Sequence, residues 1–424
     1  MKLNQIKNSD IFSRKLTQLY GSCGDRLSRQ TERYQNALDR FFEIFKGADE
    51  VDIFSAPGRT EIGGNHTDHQ RGCALAAAVD LDIIAVVSFN NSGVLRVYSE
   101  GYGFSKVELT DLSVHDDEKG GFTSLIRGIA SRFIDMGVHI GGIDMYCVSD
   151  VLSGSGLSSS AAFETLLCAV INTQYNGGKA DPIETAKIGR YAENVYFGKG
   201  SGLLDQLACA VGGLVFIDFK DEEAPYVRKI DFDFGSAGYD LCITDTKGSH
   251  ADLTDDYVAV PEEMKAVARY FGKEVLREVD EESFYKAIPD LYGVCSDRAI
   301  LRAVHFFKEN KRAFLEAKAL EEDNIERFLS LYRQSARSSS ELLQNLYSTK
   351  KPESQGIPLA IMMSRLALGD DAAVRVHGGG FAGTVQALVK KEKTEEYIQK
   401  MDALFGKGSC RALYIRPTGP VKVI

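Results

Sequence analysis

Hydrophobic positions change their spacing several times along the chain, and each change predicts a different kind of element. Residues 9–47 carry apolar side chains at helical spacing, which predicts one or two helices. Residues 51–108 contain short β-branched runs separated by glycine-rich turns, which predict strands. A glycine-dense stretch at residues 59–72 interrupts these strands, and we expect it to be a loop.

A strand, a glycine-rich loop and a helix are predicted to follow one another in the next part of the chain. Residues 142–148 read as a strand, and residues 158–175 have the pattern of a helix that Gly177 and Gly178 end. A second helix is predicted over residues 183–197. A further glycine loop then leads into the apolar residues 203–211.

An acidic stretch with a proline, residues 221–225, indicates a boundary near residue 219. Beyond it the pattern alternates between helices and strands. Helices are predicted at residues 261–271, 296–309 and 324–345, and strands at 372–377, 384–390 and 411–415. We therefore predict an N-terminal helical arm over residues 1–50, an α/β domain over 51–219 and an α+β domain over 220–424.

Composition narrows the function classes. The 424 residues carry 50 Lys and Arg against 60 Asp and Glu, a net charge of −10, so we expect neither nucleic acid nor an anionic membrane as a partner. The longest apolar stretch, residues 73–87, contains Asp80 and Asp82, and no membrane span or signal peptide is predicted. Eight cysteines without a CxxC pair are typical of a reducing, cytoplasmic compartment.

The segment between the strand at 142–148 and the following helix is predicted to bind phosphate. Glycines let a backbone approach a ligand closely, and the amides and dipole of a helix N-terminus attract an anion. A loop of this length suits a polyphosphate, and hydroxyls in the first helical turn can add hydrogen bonds or a Mg²⁺ ligand. The residues concerned are Gly154, Ser155, Gly156, Leu157, Ser158, Ser159 and Ser160.

Three other segments carry candidate chemistry. In residues 56–72, ionisable groups among glycines include Asn65, His66 and Asp68, and a binding site or a surface loop is expected because such groups need partners if buried. Asp205 follows a glycine loop, where a helix cap is the simpler interpretation. The glycine turn at residues 378–383 is a weak signal by itself.

Taken in this order, the four segments resemble the GHMP kinases, and within them the galactokinases, over residues 51–415. The resemblance implies the mixed α/β (α+β), two-domain GHMP kinase fold, with a ferredoxin-like C-terminal domain and the active site in the cleft between the domains. It also implies ATP and Mg²⁺ as cofactors. The expected reaction transfers the γ-phosphate of ATP to the anomeric hydroxyl of galactose or a close relative.

The resemblance also assigns roles to individual residues. Asp205 matches the aspartate that accepts the proton of the anomeric hydroxyl, and Arg59 matches the arginine that orients this aspartate and the γ-phosphate. The residues 154–160 match the phosphate loop. Those that match sugar contacts are Asn65, His66, Asp68 and Tyr257, and those that match Mg²⁺ ligands are Ser160 and Glu193.

The sugar segment departs from the galactokinase pattern. Asn65 stands where the family has glutamate, Glu61 stands where it has asparagine, and residues 68–70 are similar to the plant galacturonokinase version. A neutral amide can donate to a carboxylate, so a uronic acid is a rival substrate, with Arg71 or His69 as a source of positive charge. A catalytically inactive regulator that binds ATP and sugar is the alternative from another class. The sequence carries no signal for the oligomeric state.

Overall fold

The computed structural model describes residues 10–151, 156–248 and 253–424, and two β-sheets organise them. The strands are β1 Asp52–Gly63, β2 Cys73–Asn90, β3 Val94–Ser99, β4 Gly103–Glu108, β5 Gly142–Ser149, β6 Leu214–Asp218, β7 Tyr226–Ile230, β8 Tyr239–Asp245, β9 Ala373–His377, β10 Thr384–Lys390, β11 Cys410–Leu413 and β12 Val421–Lys422. The helices of the described residues are α1 Asp10–Tyr20, α2 Gly24–Ile44, α3 Phe122–Asp135, α4 Ser159–Tyr175, α5 Pro182–Tyr191, α6 Leu204–Val211, α7 Thr254–Tyr270, α8 Glu281–Leu291, α9 Asp297–Glu321, α10 Ile325–Ser338, α11 Gly356–Leu368 and α12 Thr394–Phe405.

The larger sheet is built around β2, which is 18 residues long. One edge of β2 pairs with β1, and its other edge pairs first with β6 and then with β5. The strand order is β12-β1-β2-β5-β3-β4, with β7 added beside β6, and β3 and β5 run parallel. Such a long strand is almost fully buried, because helices or the smaller sheet cover it on both faces.

Helices α3 and α4 cover one face of the larger sheet through a single hydrophobic cluster. On the other face, α1 and α2 pack against β1 and β2. An ion pair fixes this contact, since Arg33 donates to a carboxylate oxygen of Asp82 over 2.5 Å and to its backbone oxygen over 2.8 Å. The smaller sheet, in the order β11-β8-β10-β9, packs on α11 and α12.

Most of the predicted elements are confirmed, and their bounds differ in places. The predicted helix at 158–175 is α4, and the one at 183–197 is α5 followed by a π-helical turn, Ala192–Phe197. The helix predicted to begin at Pro261 begins at Thr254, so that Pro261 lies inside α7. The long helix α9 continues to Glu321, past its predicted end at 309.

The segment expected as a loop over residues 59–72 is different in the structure. Its first part, Arg59 to Gly63, continues β1 and is buried. The prediction of a loop was wrong there because the polar side chains find buried partners far away in sequence. Gly63 lets α9 pack closely on this strand: a Cβ there would lie 1.8 Å from Glu316 Oε2 and would displace this carboxyl group.

The division of the chain near residue 219 stays a prediction. Strands β7 and β12, which both follow this point in the sequence, pair in the larger sheet with β6 and β1. The mixed α/β fold class is confirmed. Within the described ranges 10–151, 156–248 and 253–424, no helix has both the length and the apolar character needed to cross a bilayer.

Candidate active site

The floor of a cleft holds Arg59, Ser158 and Asp205. Arg59 lies on β1, Ser158 immediately precedes α4, and Asp205 lies in the first turn of α6. Arg59 Nε and Nη2 both lie 2.7 Å from Asp205 Oδ1, and the Ser158 hydroxyl donates to Asp205 Oδ2. Arg59 also donates to the backbone oxygen of Gly156. The predicted catalytic pair is therefore joined directly to the predicted phosphate loop.

The geometry of Ser158 depends on its backbone. Its φ of 58° lies in the left-handed region, which is strained for a residue with a side chain. This conformation turns the hydroxyl toward Asp205 just before α4 begins. Strain of this kind is characteristic of functional sites.

Asp205 is held as an anion. Withdrawal from water acts to raise the pKa of its carboxyl, but the charge and hydrogen bonds of Arg59 and the hydroxyl of Ser158 outweigh it and lower the pKa to about 2. The Asp205 side chain is 36% exposed and faces the cleft. It is thus a fixed negative charge that can accept a hydrogen bond from a ligand.

Ser160 and Glu193, the predicted metal ligands, lie side by side. Ser160 lies in the first turn of α4, and its hydroxyl donates to Glu193 Oε1 over 3.2 Å. Glu193 lies on the π-helical turn that ends at Gly198. Such turns occur frequently at functional sites because they redirect a side chain within a helix.

Besides Ser160, three donors hold the Glu193 carboxylate in place. Lys199 Nζ lies 2.9 Å from Oε1, the Ser201 hydroxyl 2.6 Å from Oε2, and Gln206 Nε2 2.9 Å from Oε2. The second N–H of Gln206 donates over 3.0 Å to Glu164, which is fully buried. Burial, and then the charge of Glu193, raises the pKa of Glu164 well above its ordinary value.

The predicted sugar residues line the same cleft. His66, Asp68 and Asp205 border an inner chamber of about 200 Å³ together with Gly378 and Gly379. His66 Nε2 donates to the backbone oxygen of Gly379 over 2.9 Å, so Nδ1 is the acceptor in the neutral ring. Burial and the nearby His69 lower the pKa of His66 to about 4, which keeps the ring neutral.

Tyr257 stands at the outer end of this cleft. Its hydroxyl donates over 3.0 Å to the backbone oxygen of Gly380, and its ring packs edge to face on Phe381 with 5.6 Å between centroids. A Cβ on Gly379 would lie 2.6 Å from the Tyr257 ring, so a larger residue there would displace this ring. The turn at residues 378–383, weak as a sequence signal, thus forms one wall of the site.

Asn65 is fully buried, and protein groups already satisfy its side chain. Its Nδ2 donates to Glu61 Oε1 over 3.0 Å and to the backbone oxygen of Gly378 over 2.8 Å. Its Oδ1 accepts from Asn345 Nδ2 over 2.9 Å and from the hydroxyl of Ser339 over 3.3 Å. The amide therefore has neither a donor nor an acceptor position left for a ligand in this arrangement.

Glu61 is the partner that gives Asn65 its orientation. Arg375 Nη2 donates to Glu61 Oε1 over 2.6 Å, and this arginine is fully buried. Burial raises the pKa of Glu61 to about 7, although the charges of Arg375 and Arg59 act to lower it. The two departures from the galactokinase pattern thus contact each other.

Arg71, considered in the sequence as a partner for a uronate, points elsewhere. Its guanidinium donates to Glu278 Oε1 over 2.9 Å and lies within 3.6 Å of Glu222 and Glu274. It does not line the inner chamber. His69 does line the cleft, with Nε2 3.7 Å from Asp68 Oδ1.

Two groups at the site escaped the sequence analysis. Lys199 lies on Glu193, and the glycines on either side of it, Gly198 and Gly200, were the signal that could have drawn attention to it. His377 Nε2 lies 2.9 Å from the Thr60 hydroxyl, and its ring borders Gly156. No local pattern in the sequence distinguishes His377 from other residues of its strand.

The predicted phosphate-loop residues Gly154 and Ser155 lie outside the described residues. Leu157 is buried, and Ser159 begins α4.

Comparisons with known proteins find two family models and several relatives that match the sequence. A model of the galactokinase galactose-binding signature matches residues 39–89, and a model of the GHMP kinase N-terminal domain matches residues 124–213. Galactokinases of Streptomyces coelicolor and Clostridium tetani are each 28% identical to this chain, over 88% of it and over 93% and 92% of their own lengths.

Solved structures share the fold. The Lactococcus lactis galactokinase in complex with galactose superposes with a TM-score of 0.78 at 23% identity, covering 92% of this chain and all of its own. The Methanococcus jannaschii mevalonate kinase superposes with a TM-score of 0.60 at 15% identity, covering 87% and 98%. The chain is thus similar to galactokinases over most of its length, and it carries a match to the galactokinase galactose-binding signature and another to the N-terminal domain of GHMP kinases.

Proposed function

We propose that the protein is an ATP-dependent sugar 1-kinase that phosphorylates the anomeric hydroxyl of galactose or a closely related neutral sugar. The observation that carries the proposal is the direct contact between the phosphate-loop residues and the sugar cleft through Arg59 and Asp205. A phosphoryl donor and a hydroxyl acceptor would meet at this point. The galactokinase relatives support the substrate class.

The roles follow from the contacts. Asp205, anionic and facing the cleft, accepts a hydrogen bond from the attacking hydroxyl and takes its proton as the bond to phosphorus forms. A carboxylate with so low a pKa is a weak base in the ground state, so its main contribution is to orient the hydroxyl. Arg59 places positive charge beside the transferring group, where charge develops in the transition state.

The oxygen donors at the head of α4 fit Mg²⁺. This ion takes one or two protein oxygens and completes its shell with phosphate oxygens and water, which suits Ser160 and Glu193. Among the described residues no group of three or more His, Cys, Asp or Glu side chains could hold a metal. When bound with ATP, the ion would neutralise phosphate charge.

A neutral sugar suits the cleft better than a uronate. Of the cations that border the inner chamber, Arg59 is paired with Asp205 and Lys199 with Glu193. His66 is neutral, and Asp68 and Glu61 add carboxyl groups. A sugar carboxylate would enter an environment of like charge, whereas hydroxyls find acceptors at Asp68 and at His66.

The test is ATP consumption by the purified protein with Mg²⁺ and one sugar at a time: galactose, N-acetylgalactosamine, glucose, galacturonate or glucuronate. We expect turnover with galactose, and at least a hundredfold loss of kcat in Asp205→Asn, since general catalysis contributes about 10²-fold or more. Preference for a uronate would refute the substrate assignment. ATP binding without turnover on any sugar would instead favour the inactive regulator.

We expect the reaction to take place in the cytoplasm, where the eight free cysteines stay reduced.

A further inference from the structure

A second, larger chamber opens from the sugar cleft. It encloses about 590 Å³ and shares His66, Asp68, the glycine loop at residues 200–202 and Gly379 with the inner chamber. The inner chamber, at about 200 Å³, is small for a ligand site, whereas the outer one falls within the usual range of about 300–1,000 Å³. A hexose that presents its anomeric hydroxyl to Asp205 would have its far end at the entrance to the outer chamber.

The outer chamber has one apolar wall. Tyr257, Val258 and Pro261 follow one another along the first turns of α7 and border the space. Val258 is 54% exposed, whereas Val260, Met264 and Val267 of the same helix are buried in a cluster with α8 and α9. The C–H face of a sugar ring is a suitable partner for such a wall.

The opposite side of the outer chamber is polar, and its charges are balanced. Asn194, Arg190 and Lys265 border it with hydrogen-bonding groups. Arg190 Nη2 lies 3.6 Å from Glu223, and Lys265 Nζ lies 3.3 Å from Glu262, so each cation already has a carboxylate neighbour. This balance disfavours a strongly anionic group and suits the hydroxyls of a neutral sugar.

We propose that the outer chamber is a second sugar subsite and that the enzyme phosphorylates disaccharides that carry a galactose-type unit at the reducing end. This inference rests on the proposed function. The reducing unit would occupy the inner chamber, and the second unit would lie between Val258 and Asn194. The anomeric oxygen of the reducing unit would form the new bond to the γ-phosphorus while the bond from that phosphorus to the ADP oxygen breaks.

The test compares galactose with 1,3-, 1,4- and 1,6-linked galactobiose as acceptors, with ATP and Mg²⁺, and identifies the disaccharide 1-phosphate by mass spectrometry. We expect at least one linkage to be phosphorylated with kcat/KM within tenfold of galactose. Val258→Trp fills the chamber and should lower kcat/KM for that disaccharide at least tenfold, with galactose within twofold. Val258→Ala is the matched control and should leave both acceptors within twofold.

Each outcome separates this inference from the proposed function. Turnover of galactose without phosphorylation of any galactobiose would overturn the second subsite and leave the kinase assignment intact. Equal losses with both acceptors in Val258→Trp would also overturn it, because the chamber would then not be distinct from the galactose site. Absence of turnover with every acceptor, galactose included, would refute the proposed function. Since Val258 is more than half exposed, its replacement leaves the core unchanged.

Discussion

Replacing Asn65 by aspartate changes one atom of the buried pair with Glu61 and keeps its shape. The amide nitrogen of Asn65 lies 3.0 Å from Glu61 Oε1 and 2.8 Å from the Gly378 oxygen, and in Asn65→Asp both contacts become oxygen against oxygen. Leaving the Gly378 oxygen without this donor costs about 1–3 kcal/mol. Two unit charges about 4 Å apart repel by about 4 kcal/mol at an effective dielectric constant of about 20, unless one of them takes a proton.

The proton makes the loss of stability depend on pH. In the wild type Glu61 gives up its proton near pH 7, because its pKa is raised to about 7. In Asn65→Asp the second carboxylate keeps that proton in place to higher pH. The loss in the free energy of unfolding should therefore be about 1–3 kcal/mol at pH 6.0, and it should grow above pH 7 by up to about 1.4 kcal/mol per pH unit, to about 3–5 kcal/mol at pH 8.5.

Urea unfolding at pH 6.0 and 8.5 measures this difference. The double variant Glu61→Gln with Asn65→Asp has one carboxylate and one amide, so its loss relative to Glu61→Gln should stay at about 1–3 kcal/mol at both pH values. Glu61→Gln alone shows what removal of the partner of Arg375 costs. A loss for Asn65→Asp that is the same at both pH values, or a loss of the double variant relative to Glu61→Gln that grows with pH as steeply, would refute the repulsion argument.

Three further predictions concern the surroundings of the site and the N-terminal helices. Gln206→Leu removes a donor from Glu193 and should raise the Mg²⁺ concentration for half-maximal activity about 10–100-fold in a titration with MgCl₂. Burial raises the pKa of the Glu316 carboxyl well above its ordinary value. The unfolded chain therefore releases this proton at lower pH than the folded protein does, and stability falls as pH rises above about 4.5. Glu316→Gln should remove up to about 1.4 kcal/mol per pH unit of that slope, as measured by unfolding at pH 5 and pH 8. Asp82→Asn removes the carboxylate that the buried Arg33 and Arg416 share and should cost about 3–5 kcal/mol in thermal unfolding, whereas Arg40→Ala at the surface should leave the stability unchanged.

Local patterns in the sequence predicted much of the fold. The helix α4 and its glycine terminus, the strand β5 before the phosphate loop, and the strands β9 and β10 all follow from periodicity and from glycines over short windows. These elements have local causes, because hydrophobic spacing and caps act within about one helical turn. The start of α7 was missed because Pro261, usually a sign of a helix beginning, lies inside it.

The interior of the site could not be predicted in the same way. Residues 59–65 look like a polar loop, and they are buried because Arg375, Gly378 and Asn345 supply partners from about 280 to 310 positions further along the chain. Asn65 borders the inner chamber, but the same long-range contacts already occupy the hydrogen-bonding groups of its side chain. Arg71 was a reasonable candidate for a uronate contact, but three distant glutamates attract it away from the cleft.

The pairing of β12 with β1 has a consequence for folding during synthesis on the ribosome. Phe54 and Ser55 pair with Lys422 and Val421, and Arg416 donates to the hydroxyl of Ser55 over 2.6 Å. At about 5–20 residues per second, roughly 20–70 s pass between the synthesis of β1 and that of its C-terminal partner. During that time the edge of β1 is open to pairing with other chains, so a chaperone that shields exposed strand edges would raise the yield of folded protein.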